Sequence, residues 1–308
     1  MRKRITVIGD LMIDVDHSVI GTTHREGRTC IHVRESRRRL GTAGAVAQMV
    51  AALNVDVMLV ATAFIDDMQW VRRQVPGNSF ILGTSGITTR RERFYDDENW
   101  EVSGPRLDFD SETQLDRDDH ARLASRACGS AADAFIVCDH ARGVVTDALM
   151  DQLRAARKPV FVDPHPHSEW AAFRSVEALV MNRQEALAAT QAEPAPKHII
   201  SKMDQDGLWW YQNGWQLAET VPGEFDSHRL HFPSMAREIV DTIGAGDQFI
   251  AALACARVNG DDMATAIVKA NAAAGLQCER RGITPVRWTE INERLNQNQT
   301  SEPAGQPG

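Results

Sequence analysis

Asp241-Thr242-Ile243-Gly244-Ala245-Gly246-Asp247 leads into Gln248-Phe249-Ile250 and an alanine-rich run. Three small residues sit between two carboxylates where a helix should begin. Gly244 and Gly246 can take backbone angles closed to other residues and put no side chain in the way of a close neighbour. Their N–H groups, with that of Ala245, can point into one concavity at a helix N-terminus, where partial positive charge gathers. Such a concavity suits a phosphate, or the charge that develops on a phosphoryl group in transfer. Asp247, on the rim, is placed to take a proton from an attacking hydroxyl. A lone glycine-rich turn near a helix start is commonplace and chemically silent; two carboxylates bracketing Gly-Ala-Gly are a far rarer arrangement.

The chain around this stretch has 308 residues, 43% hydrophobic and 25% charged, which suits a globular protein with a substantial core. A net charge of −8 argues against a general nucleic-acid surface. Arg34, Arg37, Arg38 and Arg39, echoed by Arg90, Arg91 and Arg93, form a local exception. They either solvate exposed strands or bind a phosphate carried by the substrate. The cysteines (Cys30, Cys128, Cys138, Cys255, Cys278) are scattered, without metal-type spacing, and fit reduced thiols in a cytoplasmic protein. No apolar run approaches the ~18 residues of a membrane span. Met1-Arg2-Lys3-Arg4 passes at once into Ile5-Thr6-Val7-Ile8, which is too short for a secretory leader and reads as a first core strand.

Short β-branched runs alternate with helical periodicity. Strands are predicted at 4–9, 57–63, 134–138, 159–162, 178–181 and 198–202, and helices at 43–53, 66–74, 115–129, 145–156, 183–190, 246–258 and 262–279. Continuous apolar strands between amphipathic helices indicate an α/β fold, a doubly wound, mostly parallel sheet with helices on both faces. Residues 15–40 and about 80–110 alternate polar and apolar without a helical period, and predict a small β-sheet lid on the same domain, 1–291. Residues 208–240 also read as strands, with Asn213-Gly214 as a hairpin turn. The Asn-, Gln-, Pro- and Gly-rich stretch 292–308 reads as a disordered tail. In open parallel sheets, ligands bind beyond the carboxyl ends of the strands. Asp10, Asp14, Asp139, Asp163 and Asn182 all follow predicted strands.

The opening string resembles the C-terminal signature of the ribokinase-like (PfkB) carbohydrate kinases, D-T-x-G-A-G-D, at every fixed position. The resemblance runs over about residues 4–286 and, within the family, points to the heptose-7-phosphate kinases of lipopolysaccharide precursor (ADP-heptose) synthesis. Gly9-Asp10-Leu11-Met12-Ile13-Asp14 is similar to their G-D-x-M-L-D, and Arg39-Leu40-Gly41-Thr42-Ala43-Gly44-Ala45-Val46-Ala47 to R-P-G-G-A-A-N-V-A. Ile65-Asp66-Asp67 and Arg106-Leu107-Asp108-Phe109 also fit. So do Asp139-His140-Ala141-Arg142-Gly143 (D-Y-A-K-G), Val162-Asp163-Pro164 (I-D-P) and Asn182-Arg183-Gln184-Glu185 (N-x-x-E), with Asn271 on the last major helix.

The resemblance implies a ribokinase-like fold, ATP as co-substrate with Mg²⁺, and a sugar or sugar phosphate as acceptor. It implies Asp247 as catalytic base and Gly244, Ala245 and Gly246 as the anion hole. Asp14, Gly41, Thr42, Arg106 and Asp139 would contact the sugar. Asn182, Lys202, Gly207, Asp241, Thr242 and Asn271 would serve the nucleotide, and Glu185 would hold Mg²⁺ through water. Neither nucleic acid nor membrane is expected as partner, whereas a homodimer through the lid is, because exposed lid strands leave unpaired edges. Four positions depart from the pattern. Ala45 replaces an Asn, and His165 replaces the Lys after Asp-Pro. Lys202 and Asp204 replace Thr and a small residue in T-x-G-x-x-G. The chain between Ala189 and Lys197 is also shorter than the family's, as if a helix were missing. Two other readings therefore stand beside the heptose-phosphate kinase: a non-catalytic descendant that binds sugar phosphate or nucleotide, and a kinase for another sugar or a nucleoside.

Overall fold

A computed structural model describes residues 2–110, 114–189, 195–212 and 229–301. In chain order its first elements are β1 (Arg4–Gly9), β2 (Leu11–Arg25), β3 (Arg28–Gly41), α1 (Thr42–Ala52), β4 (Asp56–Phe64), α2 (Ile65–Gln74), β5 (Asn78–Thr84), β6 (Arg90–Asp96) and β7 (Leu107–Phe109). Then come α3 (Arg117–Cys128), β8 (Ala134–Cys138), α4 (Asp147–Ala155), β9 (Val160–Asp163), β10 (Ala178–Met181), α5 (Arg183–Ala188) and β11 (His198–Lys202). The chain finishes with β12 (Leu208–Gln212), β13 (Arg229–Phe232), α6 (Ala245–Val258), α7 (Met263–Cys278) and α8 (Trp288–Ser301). The predicted core strands and helices fall on these elements with ends shifted by one or two residues.

Among the described residues the main sheet has nine strands, ordered β13-β12-β11-β10-β9-β8-β1-β4-β5. From β11 to β5 neighbours run parallel, and β12 and β13 are antiparallel. Alternation along β1 explains the two-sided core. Ile5 and Val7 face a layer built with α1, α6 and α7, while Ile8 faces α3 and α4. Alanines 251, 252, 254 and 256 of α6 are fully buried. A helix that is apolar and small-sided all round can sink between sheet and neighbouring helix, and this fixes where its N-terminus emerges. Asp116, Thr146 and Asp262 cap α3, α4 and α7 by accepting backbone N–H groups.

The lid is a second, four-stranded sheet in the order β3-β2-β6-β7. Its strands β2 and β3 pair antiparallel from Met12↔Gly41 out to Arg25↔Arg28. Leu11 to Asp16 are buried at the root, and residues 20–25 are exposed at the tip. One expectation needs correction. Residues 80–84 belong to β5 at the edge of the main sheet, paired with β4, because Ile81 and Leu82 are buried against opposite core layers. The second lid segment is therefore β6 and β7. Asn213-Gly214 lies outside the described residues, as does 190–194 in the shortened segment before β11.

The expected tail is also corrected. Residues 292–301 continue α8. Ile291 is buried and Leu295 packs on the core. Arg294, only 5% exposed, pairs with Glu279 at 2.6 Å and donates to the Met235 carbonyl at 2.8 Å. Polar composition concealed the helix because its anchoring contact is a buried ion pair. Residues 302–308 lie outside the described residues. Arg294→Ala leaves the Met235 carbonyl without this donor and Glu279 with only the Arg237 N–H, so it should lower stability by about 2 kcal/mol; equilibrium denaturation that shows no loss would contradict this docking of α8.

Candidate active site

The N-terminus of α6 emerges at the carboxyl edge of the parallel sheet. Gly244 is its N-cap, with φ of 75°, a left-handed angle that favours glycine. The turn is pinned from several sides. Asp241 accepts the N–H groups of Ile243 (3.0 Å) and Gly282 (2.9 Å), and the Trp100 indole N–H at 3.4 Å. Gln277 donates to the carbonyls of Ile243 (3.1 Å) and Gly282 (2.7 Å). The Ala245 N–H, expected to join those of the glycines, turns back to the Thr242 carbonyl at 3.3 Å, closing a tight first turn. Among the described residues no acceptor takes the N–H of Gly246 or Asp247. These two, not the Ala245 donor, are open to an anion.

Asp247 sits in the first turn of α6 facing the strand ends. Burial, then the charge of Asp163, pushes its carboxyl up to about 7, partly offset by Lys202. Asp163, at the end of β9, is raised by burial and pulled back by Lys202, whose Nζ lies 3.7 Å from its Oδ1. Glu185 is raised to about 7 by burial and by Asp163. Both of its oxygens serve Asn182. One accepts the Asn182 backbone N–H at 2.6 Å and the other its side-chain amide, completing a capping box for α5.

The lid root forms the opposite wall. Asp14, from β2, accepts from Arg93 at 2.9 Å. A Cβ on Gly41 would lie 2.5 Å from Asp14 Oδ2, so glycine is required where β3 passes. Asp16 pairs with Arg39 at 3.2 Å, and burial raises it. Most lid arginines are committed. Arg34 pairs with Asp97, Arg37 with Glu35, Arg38 with Asp67, and Arg90 with Glu92. Arg91 alone of the series has no carboxylate partner among the described residues, and burial, then Arg106, lowers its pKa. Arg106 is half-exposed and held by Asp108 at 2.6 Å.

Beneath Arg91 lies the loop after β8. Asp10, buried, accepts the N–H groups of His140 (2.8 Å), Arg142 (3.0 Å) and Val144 (3.3 Å) and so shapes that loop. His140 is driven down to about 3 by burial, then by the charges of Arg91, His165 and Arg142. Its Nε2 and the Nε of Arg142 are buried without hydrogen-bond partners. His165 lies 6.1 Å from His140, ring to ring, and burial lowers it as well.

The structure thus brings Asp14, Gly41, Asp241, Thr242, Gly244, Gly246, Asp247, Lys202, Asn182 and Glu185 to one edge of the molecule, with Arg106 on the lid above. Several assigned residues are spent locally. Asp139 is buried on the Ala141 N–H (2.9 Å) and Ser168. Thr42 donates its hydroxyl to the Asp10 carbonyl at 2.6 Å. Asn271 donates to the Pro233 carbonyl at 2.8 Å. Gly207 closes the turn at the end of β11, its carbonyl taking the Met203 N–H at 2.7 Å. Ala45 is fully buried, and Asp204 is exposed. Trp100 went unread in the sequence. His140 and Arg142 were read only as part of a motif, although two charged or aromatic residues after a strand end were the available signal.

No three His, Cys, Asp or Glu side chains converge on a metal site among the described residues. The donors present, Asp163 and Glu185, fit Mg²⁺ only as an ion that arrives with the nucleotide and keeps its water.

Residues 79–290 match the family model described as pfkB family carbohydrate kinase. The protein named Bifunctional protein HldE of Gluconobacter oxydans is 29% identical over 326 residues, which cover 96% of this chain and 64% of that protein. Its namesake in Helicobacter hepaticus is 29% identical over 313 residues, covering 95% and 64%. The chain therefore spans about 64% of the length of these curated relatives. Ribokinase of Arabidopsis thaliana, solved with ribose and ATP, superposes with a TM-score of 0.69 at 17% identity, over 96% of this chain and 99% of that one. Phosphofructokinase-2 of Escherichia coli in complex with potassium gives 0.76 at 12% identity, over 97% and 100%. At these identities the likeness is one of fold, and it is ribokinase-like.

A carboxyl raised from 3.8 to about 7 favours the folded state while protonated, so its contribution to stability falls as pH rises through that window. Asp247→Asn escapes this loss. Thermal melts should show the variant gaining on the wild type between pH 4 and 7, by at least ~1 kcal/mol at the upper end; a gap independent of pH would contradict the burial of Asp247.

Proposed function

From the premise that the chain belongs to the pfkB family of carbohydrate kinases, we propose that it transfers the γ-phosphoryl group of ATP to a hydroxyl of a sugar phosphate. A heptose phosphate is the sugar best supported by the motif resemblance. The observation that carries the choice of a phosphorylated acceptor is Arg91. It is the one arginine of its series without a carboxylate partner among the described residues, over a loop where Arg142 pairs with Asp110 through Nη2 but leaves its buried Nε without a hydrogen-bond partner among those residues. Buried donors without acceptors cost stability unless a ligand completes them. An arginine placed there can bind phosphate bidentately.

Asp14 accepts hydrogen bonds from sugar hydroxyls and helps aim one at the nucleotide. Asp247 takes that hydroxyl's proton as its oxygen bonds to the γ-phosphorus, and the bond from phosphorus to the β,γ-bridging oxygen breaks to release ADP. The N–H groups of Gly246 and Asp247 stabilise the charge on the transferring group. Mg²⁺, carried in by the nucleotide, would neutralise charge on the β- and γ-phosphates, with Glu185 and Asp163 nearby to hold its water shell.

ATP turnover against a panel of sugars and sugar phosphates is the test. With the preferred sugar phosphate, kcat should rise with pH through about 7 as Asp247 ionises, and Asp247→Asn should lower it at least ~10²-fold. Arg91→Ala should raise KM for the sugar phosphate at least ~10-fold and leave KM for ATP nearly unchanged. An unphosphorylated sugar that proves the better substrate would overturn the acceptor assignment and leave the kinase.

The partner reading is a homodimer through the lid. β3 is the outer strand of its sheet, and Val33 of β3 and Ile20 of β2 are exposed on the lid. A long unpaired edge favours pairing with a second copy. Light scattering should give a dimer mass at micromolar concentration, and a strictly monomeric mass would count against it.

A further inference from the structure

β11 ends in Lys202, whose side chain runs along the carboxyl edge of the sheet to the first turn of α6. Its Nζ stands 3.7 Å from Asp163 Oδ1, and a Cβ on Gly246 would lie only 2.8 Å from that nitrogen. The ammonium therefore rests against the backbone of Gly246, in space that any other residue would fill.

This is a costly place for a free cation. A helix N-terminus carries partial positive charge and repels an ammonium. The side chain is 22% exposed, so water solvates it only in part. An ammonium has three donors, yet among the described residues its one carboxylate contact is the long ion pair to Asp163 at 3.7 Å, which occupies at most one of them. The neighbouring N–H groups of Gly246 and Asp247 also lack acceptors. Donors from two elements thus face one space, and among the described residues no acceptor takes the two backbone N–H groups.

We propose that Lys202 is a catalytic residue, one that binds the terminal phosphate of ATP together with the Gly246 and Asp247 N–H groups. The assignment rests on the kinase reading and deepens it. Lys202 keeps its proton throughout: the acceptor proton goes to Asp247, and the ammonium supplies fixed positive charge to the γ-phosphoryl oxygens while the bond to the bridging oxygen breaks. Asp163 holds the ammonium in place. A built-in cation takes over part of the neutralisation that a divalent ion otherwise provides, so ATP should bind even when divalent ions are removed.

The competing role is purely local: Lys202 could merely neutralise Asp163 and Glu185, or even block the nucleotide. Calorimetric titration of ATP and of ADP, in EDTA and in excess Mg²⁺, separates these roles. The proteins to compare are the wild type, Lys202→Met, Lys202→Arg and Lys202→Thr, each checked for folding by circular dichroism. The wild type should bind ATP in EDTA. Lys202→Met and Lys202→Thr should bind it at least ~10-fold more weakly there, and excess Mg²⁺ should restore part of the loss. ADP binding should change less than about 3-fold, because the contact is to the terminal phosphate, and Lys202→Arg should stay near the wild type. Unchanged ATP binding by Lys202→Met in EDTA, equal losses for ATP and ADP, or tighter binding by Lys202→Thr would each overturn the assignment and leave the kinase reading standing. A wild type that binds no ATP even with Mg²⁺ would overturn both.

Discussion

Asp10, Asp139, Asp163 and Glu185 lie buried along one edge of the parallel sheet, and Asp247 faces them from α6. Like charges crowded out of water cannot all ionise cheaply, and burial lifts every one of these carboxyls. What separates their roles is how each is satisfied. Asp10 takes three backbone N–H groups and becomes part of the scaffold. Glu185 is absorbed by the cap of α5. Asp163 has Lys202. Asp247 accepts no hydrogen bond within the described residues, so its raised carboxyl lacks the partners that settle the other four.

The placement of this edge follows from the fold. Parallel strands all end on the same side, so polar residues that follow β1, β8, β9, β10 and β11 in sequence become neighbours in space. The apolar runs and the periodicity of α1, α6 and α7 made that architecture legible in the sequence, because a strand buried on both faces and a helix sunk between layers both leave strong apolar patterns. The Gly-Ala-Gly turn was legible for a different reason: few sequences put two carboxylates around three small residues at a helix start.

What the sequence could not convey was commitment. Asp139, Thr42 and Asn271 looked like ligand contacts, and each is engaged by its own backbone surroundings. Most lid arginines were indistinguishable by type, and only the positions of Asp14, Asp16, Glu35, Asp67, Glu92 and Asp97 single out Arg91. Lys202 was visible in the sequence both as a nucleotide residue and as a departure from the family's Thr. Its length, which carries the charge from β11 across to Gly246, could be judged only in three dimensions. The last helix was hidden by its polar composition, since a buried Arg294–Glu279 pair shares its docking with Ile291 and Leu295.

Trp100 stacks on Tyr95 of β6 with ring centroids 4.3 Å apart and reaches across to Asp241. Arg39 of β3 lies against Gly282, which Asp241 also holds. Trp100 and Arg39 therefore tie the lid to the turn that leads into Gly246 and Asp247. If the lid swings away, Asp241 gives up its indole donor and Gly282 its guanidinium cover, and the turn before α6 is less firmly held. A displacement of either side chain is thereby passed to the backbone that leads into Gly246 and Asp247, although neither Trp100 nor Arg39 touches those two residues' open N–H groups.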